Sequence, residues 1–64
     1  MIQFIRLNQQ ETAENLPIFQ KTETPGSLTV KLNREITGLL VTIDGTENEI
    51  EKYFNLLREN GIKI

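Results

Sequence analysis

The sequence predicts an α+β domain, a four-stranded antiparallel sheet with two helices on one face. Three observations predict it. Residues 28–33 alternate between apolar and polar side chains, residues 39–43 form a second strand-like segment, and an amphipathic helical segment begins after Thr46. At 64 residues the chain has room for a single domain.

The first predicted strand covers residues 2–7. Ile2 and Phe4 point to one face of this strand, and Ile5 and Leu7 point to the other. Because apolar side chains occur on both faces, the pattern favours a central strand over an edge strand.

Residues 8–23 allow three interpretations: helix, loop or strand. Their first half contains nothing apolar larger than Ala13, which fits either a polar loop or the start of a helix. Pro17 suits the first turn of a helix, where its missing N–H costs nothing. We therefore expect a two-turn helix over residues 17–23 that ends at the following Pro-Gly pair. The alternative is an extended segment that pairs with the next strand across that turn.

The clearest strand signal is the alternation over residues 28–33, followed by residues 39–43 after a turn at Gly38. Because only a few residues separate the two segments, we expect an antiparallel hairpin. Leu40 and Thr42 point away from the helices. The side chains expected to face the helices are Leu28, Val30, Leu32, Leu39, Val41 and Ile43.

A capped amphipathic helix is predicted over residues 47–60. Thr46 and Glu49 have the spacing of a capping box, in which each side chain bonds the backbone N–H of the other residue. Gly61 supplies a left-handed stop at the helix end. The apolar residues at helical spacing are Ile50, Phe54 and Leu57, flanked by Tyr53 and Leu56.

Ile62 and Ile64 begin a last predicted strand. The predicted order is then strand, helix, strand, strand, helix, strand. Right-handed crossovers place both helices on one face, with the first and third strands in the centre of the sheet. This is the ferredoxin-like βαββαβ sandwich.

The composition excludes several kinds of function. Seven Lys and Arg against nine Asp and Glu give a net charge of −2, which argues against nucleic acid as a partner. With no Cys and no His, the chain has no disulfide, thiol nucleophile, histidine base or ordinary zinc site. We expect no enzymatic activity, no catalytic residue, no cofactor and no metal.

The sequence also lacks signals for membranes and secretion. No apolar stretch approaches the roughly 18 residues that span a bilayer. Residues 1–7 lack the basic start and apolar run of a signal peptide. A cytoplasmic location without membrane insertion is expected.

The sheet face away from the helices is the predicted functional surface. It holds Leu40 together with either Ile2 and Phe4 or Ile5 and Leu7, and exposed apolar clusters mark interfaces or ligand grooves. A core this small barely offsets the entropy of folding, so we also expect a homodimer. The interface or ligand-face candidates are Thr29, Lys31, Leu40 and Thr42.

Residues 38–45 (GLLVTIDG), the acidic capped helix ending in Leu56 and Leu57, and residues 60–64 (NGIKI) resemble the C-terminal half of a NIL domain. That family is the ferredoxin-like regulatory domain of methionine-type ABC transporter ATPases. Residues 16–18 (LPI) are similar to the start of the family's first helix. No individual binding residue is carried over.

The resemblance implies a dimeric sensor of a small amino acid such as methionine, acting on a transporter or another fused or partner protein. The alternative is a protein-interaction or assembly module with no small ligand. Acylphosphatases share this sandwich, but their glycine-rich substrate loop with an embedded Arg is missing here.

Overall fold

The computed structural model describes residues 1–63. Over that range the chain forms two helices and a three-stranded sheet with the strand order β1-β3-β2, antiparallel throughout. The α+β prediction is confirmed, whereas four strands in the ferredoxin-like order are not shown. The elements are β1 (Ile2–Asn8), α1 (Gln9–Lys21), β2 (Thr29–Glu35), β3 (Gly38–Asp44) and α2 (Glu47–Glu59).

β1 lies at an edge of the sheet, so the prediction of a central first strand is wrong. It pairs with β3 on one side, and within residues 1–63 no strand pairs with its other side. Leu7 is buried under the helices, whereas Ile2 and Phe4 are 53% and 64% exposed on the opposite face. Apolar side chains on both faces of this strand therefore reflect an exposed apolar surface.

The predicted last strand is absent as far as the described residues extend: Ile62 and Lys63 are in no strand, and Ile64 lies outside them. Instead, Asn15 on α1 binds the backbone of Lys63. The Lys63 N–H donates to Asn15 Oδ1 at 2.6 Å, and Asn15 Nδ2 donates to the Lys63 carbonyl at 3.3 Å. A helix side chain thus holds backbone groups that the prediction assigned to a strand neighbour.

α1 begins at Gln9, so the loop and strand interpretations of this region are wrong and the predicted helix was too short. Asn8 and Glu11 form a capping box: the Glu11 N–H donates to Asn8 Oδ1 at 2.8 Å, and the Asn8 N–H donates to Glu11 Oε1 at 3.0 Å. Pro17 lies inside the helix, not in its first turn. The helix ends at Lys21, with Thr22 as its C-cap.

The polar first half of α1 can be buried because its polar side chains form hydrogen bonds within the helix. Thr12 Oγ1 donates to the Asn8 carbonyl at 2.7 Å, and Asn15 Nδ2 donates to the Glu11 carbonyl at 2.8 Å. A buried polar group costs little once it is hydrogen-bonded. An apolar stripe is therefore unnecessary in this half of the helix.

The hairpin of β2 and β3 is confirmed as antiparallel, but the bounds of β2 differ from the predicted 28–33. The strand starts at Thr29, so Leu28 is buried just before it, and it continues to Glu35. Leu32 faces the helix side but is 39% exposed, because β2 is the other edge of the sheet.

α2 has the predicted start and end. The Glu49 N–H donates to Thr46 Oγ1 at 3.2 Å, and the Thr46 N–H donates to Glu49 Oε1 at 3.0 Å. Gly61 follows with φ of +89°, the left-handed stop. The sequence predicted Phe54 as a member of the buried stripe of this helix and Tyr53 as its neighbour. In the structure Tyr53 is fully buried and Phe54 is half-buried.

The core lies between the two helices and one face of the sheet. β3 contributes its centre, because it is the middle strand and its helix-facing side chains are almost completely buried. The buried apolar residues are Leu7, Ile18, Phe19, Leu28, Leu39, Val41, Ile43, Ile50, Tyr53 and Leu57.

Candidate functional site

The open face of the sheet carries all four residues that the sequence singled out. Register places Lys31 of β2 opposite Thr42 of β3, with Phe4 of β1 on the other side of Thr42. Since opposed residues in an antiparallel pair share a face, these side chains form one row across the sheet. Thr29 lies on the same face opposite Asp44, and Leu40 lies between Asn33 and Arg6.

The apolar part of this face lies at the β1 edge. Of the two alternatives for β1, the structure places Ile2 and Phe4 on the open face and Ile5 and Leu7 on the helix face. Phe4 is diagonal to half-buried Leu40 in the register. We call Ile2, Phe4 and Leu40 the edge patch. Two of its members were missing from the four sequence candidates, because alternation fixes two faces without saying which one the helices cover.

An ion pair crosses the open face at its other end. Arg6 Nη1 of β1 lies 3.0 Å from Glu35 Oε1 of β2, although β3 runs between the two strands. The β3 residue opposite Glu35 is Gly38, whose lack of a side chain leaves the space clear. Both side chains are accessible to solvent, so the pair contributes little to stability.

Gly38 itself is fixed by the backbone. It has φ of +152°, and a Cβ built there would overlap the carbonyl oxygen of Leu7 in β1. Only glycine allows this close approach between β1 and β3.

A cleft of about 400 Å³ lies between α1 and the end of the hairpin. It places Arg34 beside an apolar wall of Ala13, Leu16 and Pro17. Glu35 also lines the cleft, but its carboxylate binds Arg6 on the open face of the sheet. A guanidinium next to an apolar wall suits the carboxylate and the side chain of an α-amino acid. The lining residues are Gln9, Thr12, Ala13, Leu16, Pro17, Arg34, Glu35 and Gly38.

A second depression runs between α2 and the outer edge of β1. One part, about 420 Å³, lies next to Ile5, and the adjoining part, about 300 Å³, lies next to Gln3. Phe54 and Arg58 line both parts. We call this depression the edge groove. Its other lining residues are Leu57 and Ile62 beside Ile5, and Met1, Glu47, Ile50 and Glu51 beside Gln3.

Glu49 is the carboxyl group with the most distinctive environment. Hydrogen bonds from the Thr46 backbone, then the Ser27 backbone, and then the hydroxyls of these residues lower the pKa of Glu49 to about 2. The Ser27 N–H lies 2.8 Å from Glu49 Oε2. This carboxylate ties the loop before β2 to the start of α2, and its acceptors are committed to that structural role.

The buried hydroxyl of Tyr53 has no hydrogen-bond partner in the described part of the chain. Burial raises the pKa of Tyr53, so the phenol remains neutral. Metal ligation has no clear location either: across residues 1–63 no three Asp and Glu side chains cluster to hold an ion.

Comparison with protein-family models, with curated proteins and with solved structures gives no match for this chain. The resemblance to NIL domains therefore stays a prediction. Neither α1 nor α2 is long and apolar enough to cross a membrane, and no other helix occurs among the residues described.

Proposed function

We propose that this domain is a protein-interaction module that assembles as a homodimer through its sheet. The observation that carries the proposal is the edge patch, where Phe4 and Ile2 are more than half exposed and Phe4 lies diagonal to Leu40. Fully covering a side chain of this size contributes about 1.5–3 kcal/mol. A small domain with a limited core gains most from such burial.

The patch has the composition of an interface centre. An aromatic side chain lies among aliphatic ones, and the ion pair of Arg6 with Glu35 borders it. Thr42 and then Lys31 follow Phe4 along its row of the sheet, on the side away from the free edge. A buried apolar centre with a polar rim is the usual anatomy of a protein interface.

The proposal is tested by sedimentation equilibrium of the 64-residue chain over a wide concentration range. We expect a monomer–dimer equilibrium that Phe4→Asp shifts to monomer, because the carboxylate would be buried without a partner. Ile36→Asp is the matched control: Ile36 is 94% exposed in the turn between β2 and β3, away from the patch. A wild-type chain that remains monomeric at every concentration would contradict the proposal.

A second function is supported by the cleft under α1. In this version the domain is a regulatory module that binds a small amino acid, methionine in the setting that the NIL resemblance implies. Arg34 would bind the carboxylate, and the wall formed by Leu16 and Pro17 would take the side chain. The domain would then regulate a transporter or another fused or partner protein in the cytoplasm, with no catalytic role.

In such a module, ligand binding changes the balance between two packings of the dimer. The coupling free energy equals the difference between the binding free energies of the ligand for these two packings. Isothermal titration calorimetry with a panel of amino acids tests the idea. Arg34→Gln should abolish the heat of binding, whereas Lys31→Gln, on the opposite face of the same strand, should leave it unchanged. No heat with any amino acid would leave assembly without a small ligand as the function.

A further inference from the structure

The outer edge of β1 presents free backbone groups. The Gly45 N–H donates to the Met1 carbonyl at 3.0 Å, which marks these two opposed residues as a hydrogen-bonded pair. Bonded and non-bonded pairs alternate along an antiparallel ladder. Every second residue from Gln3 therefore turns its N–H and C=O toward β3, and the residues between turn theirs outward. The outward-facing groups belong to Ile2, Phe4, Arg6 and Asn8.

The hydrogen bonds of Asn8 support the assignment of its backbone groups to the outer side of β1, but these groups are not available to a partner strand. Its N–H donates to Glu11 Oε1 at 3.0 Å instead of to β3, and its carbonyl accepts from Thr12 Oγ1 at 2.7 Å. Both groups are thus used by the capping of α1. Within residues 1–63, the N–H and C=O groups of Ile2, Phe4 and Arg6 bond to no other part of the chain, and they are available to a partner strand.

We propose that a second copy of this chain pairs antiparallel with the outer edge of β1, with Phe4 facing Phe4 of the second copy. The inference rests on the proposed homodimer and specifies its contact. In this register Ile2 faces Arg6 of the second copy, and Arg6 faces Ile2. The three residues of each copy then exchange all their outward N–H and C=O groups, and the two sheets become one.

Two symmetric registers shifted toward the C-terminal end of β1 fit less well. Centring the pairing on Ile5 places Ile2 opposite Asn8, whose backbone groups already bond to α1. Centring it on Arg6 places Phe4 opposite Asn8, so the same backbone groups are again already in use. The register centred on Phe4 avoids this fault.

Side chains on the open face favour the same register. The two Phe4 rings lie side by side on the two-fold axis, and each covers an exposed part of the edge patch. Ile2 gains the aliphatic part of Arg6 from the second copy, while the guanidinium can keep its bond to Glu35.

Charges in the edge groove are also complementary. Glu47 and Glu51 line the groove next to Gln3, and Arg58 lines it next to Ile5 as well. Because Gln3 faces Ile5 of the second copy, the acidic part of one groove meets the arginine of the other. Pairing of opposite charges fixes register and orientation in an interface.

The two sheet edges differ in their protection against such pairing. β2 carries Lys31, Arg34 and Glu35 along its length, and charged residues discourage strand addition. β1 contains Arg6 as its only charged residue and has no proline. β1 is therefore the edge that accepts a strand.

A disulfide trap tests the register directly. The chain contains no cysteine, so Phe4→Cys introduces a single thiol. Opposed residues of a bonded pair lie about 5.5 Å apart at Cα, within the range that a disulfide spans. Mild oxidation should yield a cross-linked dimer for Phe4→Cys, and Lys31→Cys, exposed on the same face at the far edge, should stay monomeric under denaturing electrophoresis.

A backbone variant separates edge pairing from stacking of the open faces. Phe4→Pro removes an outward N–H without removing a bond to β3, and Phe4→Ala removes the same ring alone. Losing the two central hydrogen bonds should weaken the dimer of Phe4→Pro about 30-fold beyond that of Phe4→Ala. Circular dichroism of both variants checks that the domain is folded.

The outcomes distinguish the two proposals. A monomeric wild-type chain in sedimentation contradicts the homodimer itself. A wild-type dimer in which Phe4→Cys fails to cross-link, and in which Phe4→Pro and Phe4→Ala dissociate alike, overturns the edge pairing and leaves the homodimer standing.

Discussion

The two helices of this domain are built on different principles. α2 presents an apolar stripe of Ile50, Tyr53 and Leu57 to the core, whereas α1 buries Thr12 and Asn15 in its first half. Both helices begin with a capping box. The difference shows that a capped helix can bury a polar surface when each polar group finds a partner within the helix or in the adjacent chain.

The largest effect that we expect from this difference between the helices lies in the apolar stripe of α2. Leu57→Ala removes a fully buried side chain that contacts the rest of the core. Truncation of a buried leucine costs about 2–5 kcal/mol, a large part of the stability of so small a domain. Urea unfolding should show this loss, and Leu56→Ala, at a half-buried neighbouring position, should cost clearly less. Equal costs would contradict the assigned stripe.

Asn15 is the corresponding position in α1. Asn15→Ala removes hydrogen bonds to Glu11 and to the backbone of Lys63, and the buried groups left without partners should cost about 1–3 kcal/mol. Asn15→Leu restores volume but not these bonds, so it should not recover the stability. Full recovery by leucine would mean that α1 packs as α2 does. Amide exchange at Lys63 gives a local readout.

The N-caps are the feature that the helices share. Asn8→Ala and Thr46→Ala should each cost about 1 kcal/mol, the usual loss of an N-cap side chain. Thermal unfolding of the two variants measures this. Since α1 has the weaker apolar stripe, Asn8→Ala should in addition lower the helical signal in the native baseline. A baseline change of the same size in Thr46→Ala would contradict the distinction.

The smallest expected effect is the loss of stability when Glu49 is protonated at low pH. Hydrogen bonds from Thr46 and Ser27 lower the pKa of Glu49 from 4.5 to about 2. A lowered native pKa contributes stability above about pH 4.5, and this contribution is lost as pH falls toward 2. The melting temperature of the wild-type chain should therefore fall over that window by an increment that Glu49→Gln lacks. Glu11→Gln serves as the matched control in the cap of α1, where the carboxylate bonds Asn8 but no second loop.

Much of the fold was predictable from local signals. The Thr46–Glu49 capping box, the stop at Gly61 and the hairpin before them depend on neighbours in the chain, and the structure confirms them. The Asn8–Glu11 capping box was equally readable, and it would have placed the start of α1 correctly. The residues after it carry no apolar stripe, so the hydrophobic pattern alone does not indicate a helix there.

The rest depended on contacts between distant parts of the chain. Alternation in β1 defined two faces, but only the packing of α1 and α2 decided that Ile5 and Leu7 are covered and that Ile2 and Phe4 are exposed. The edge patch was therefore readable only as one of two alternatives. The cleft with Arg34 and Glu35 could not be predicted at all, since α1 and the hairpin end meet only in the folded domain.

The amino-acid sequence alone determined where α2 begins and ends and where the hairpin turns, because caps, turns and alternation act within a few residues. Tertiary structure decided that β1 is an edge strand within residues 1–63. It also decided that the Lys63 backbone bonds to Asn15 of α1 instead of to the sheet. The physical reason is that the partner of a backbone N–H or C=O is chosen by geometry across the whole domain, and no local pattern encodes it.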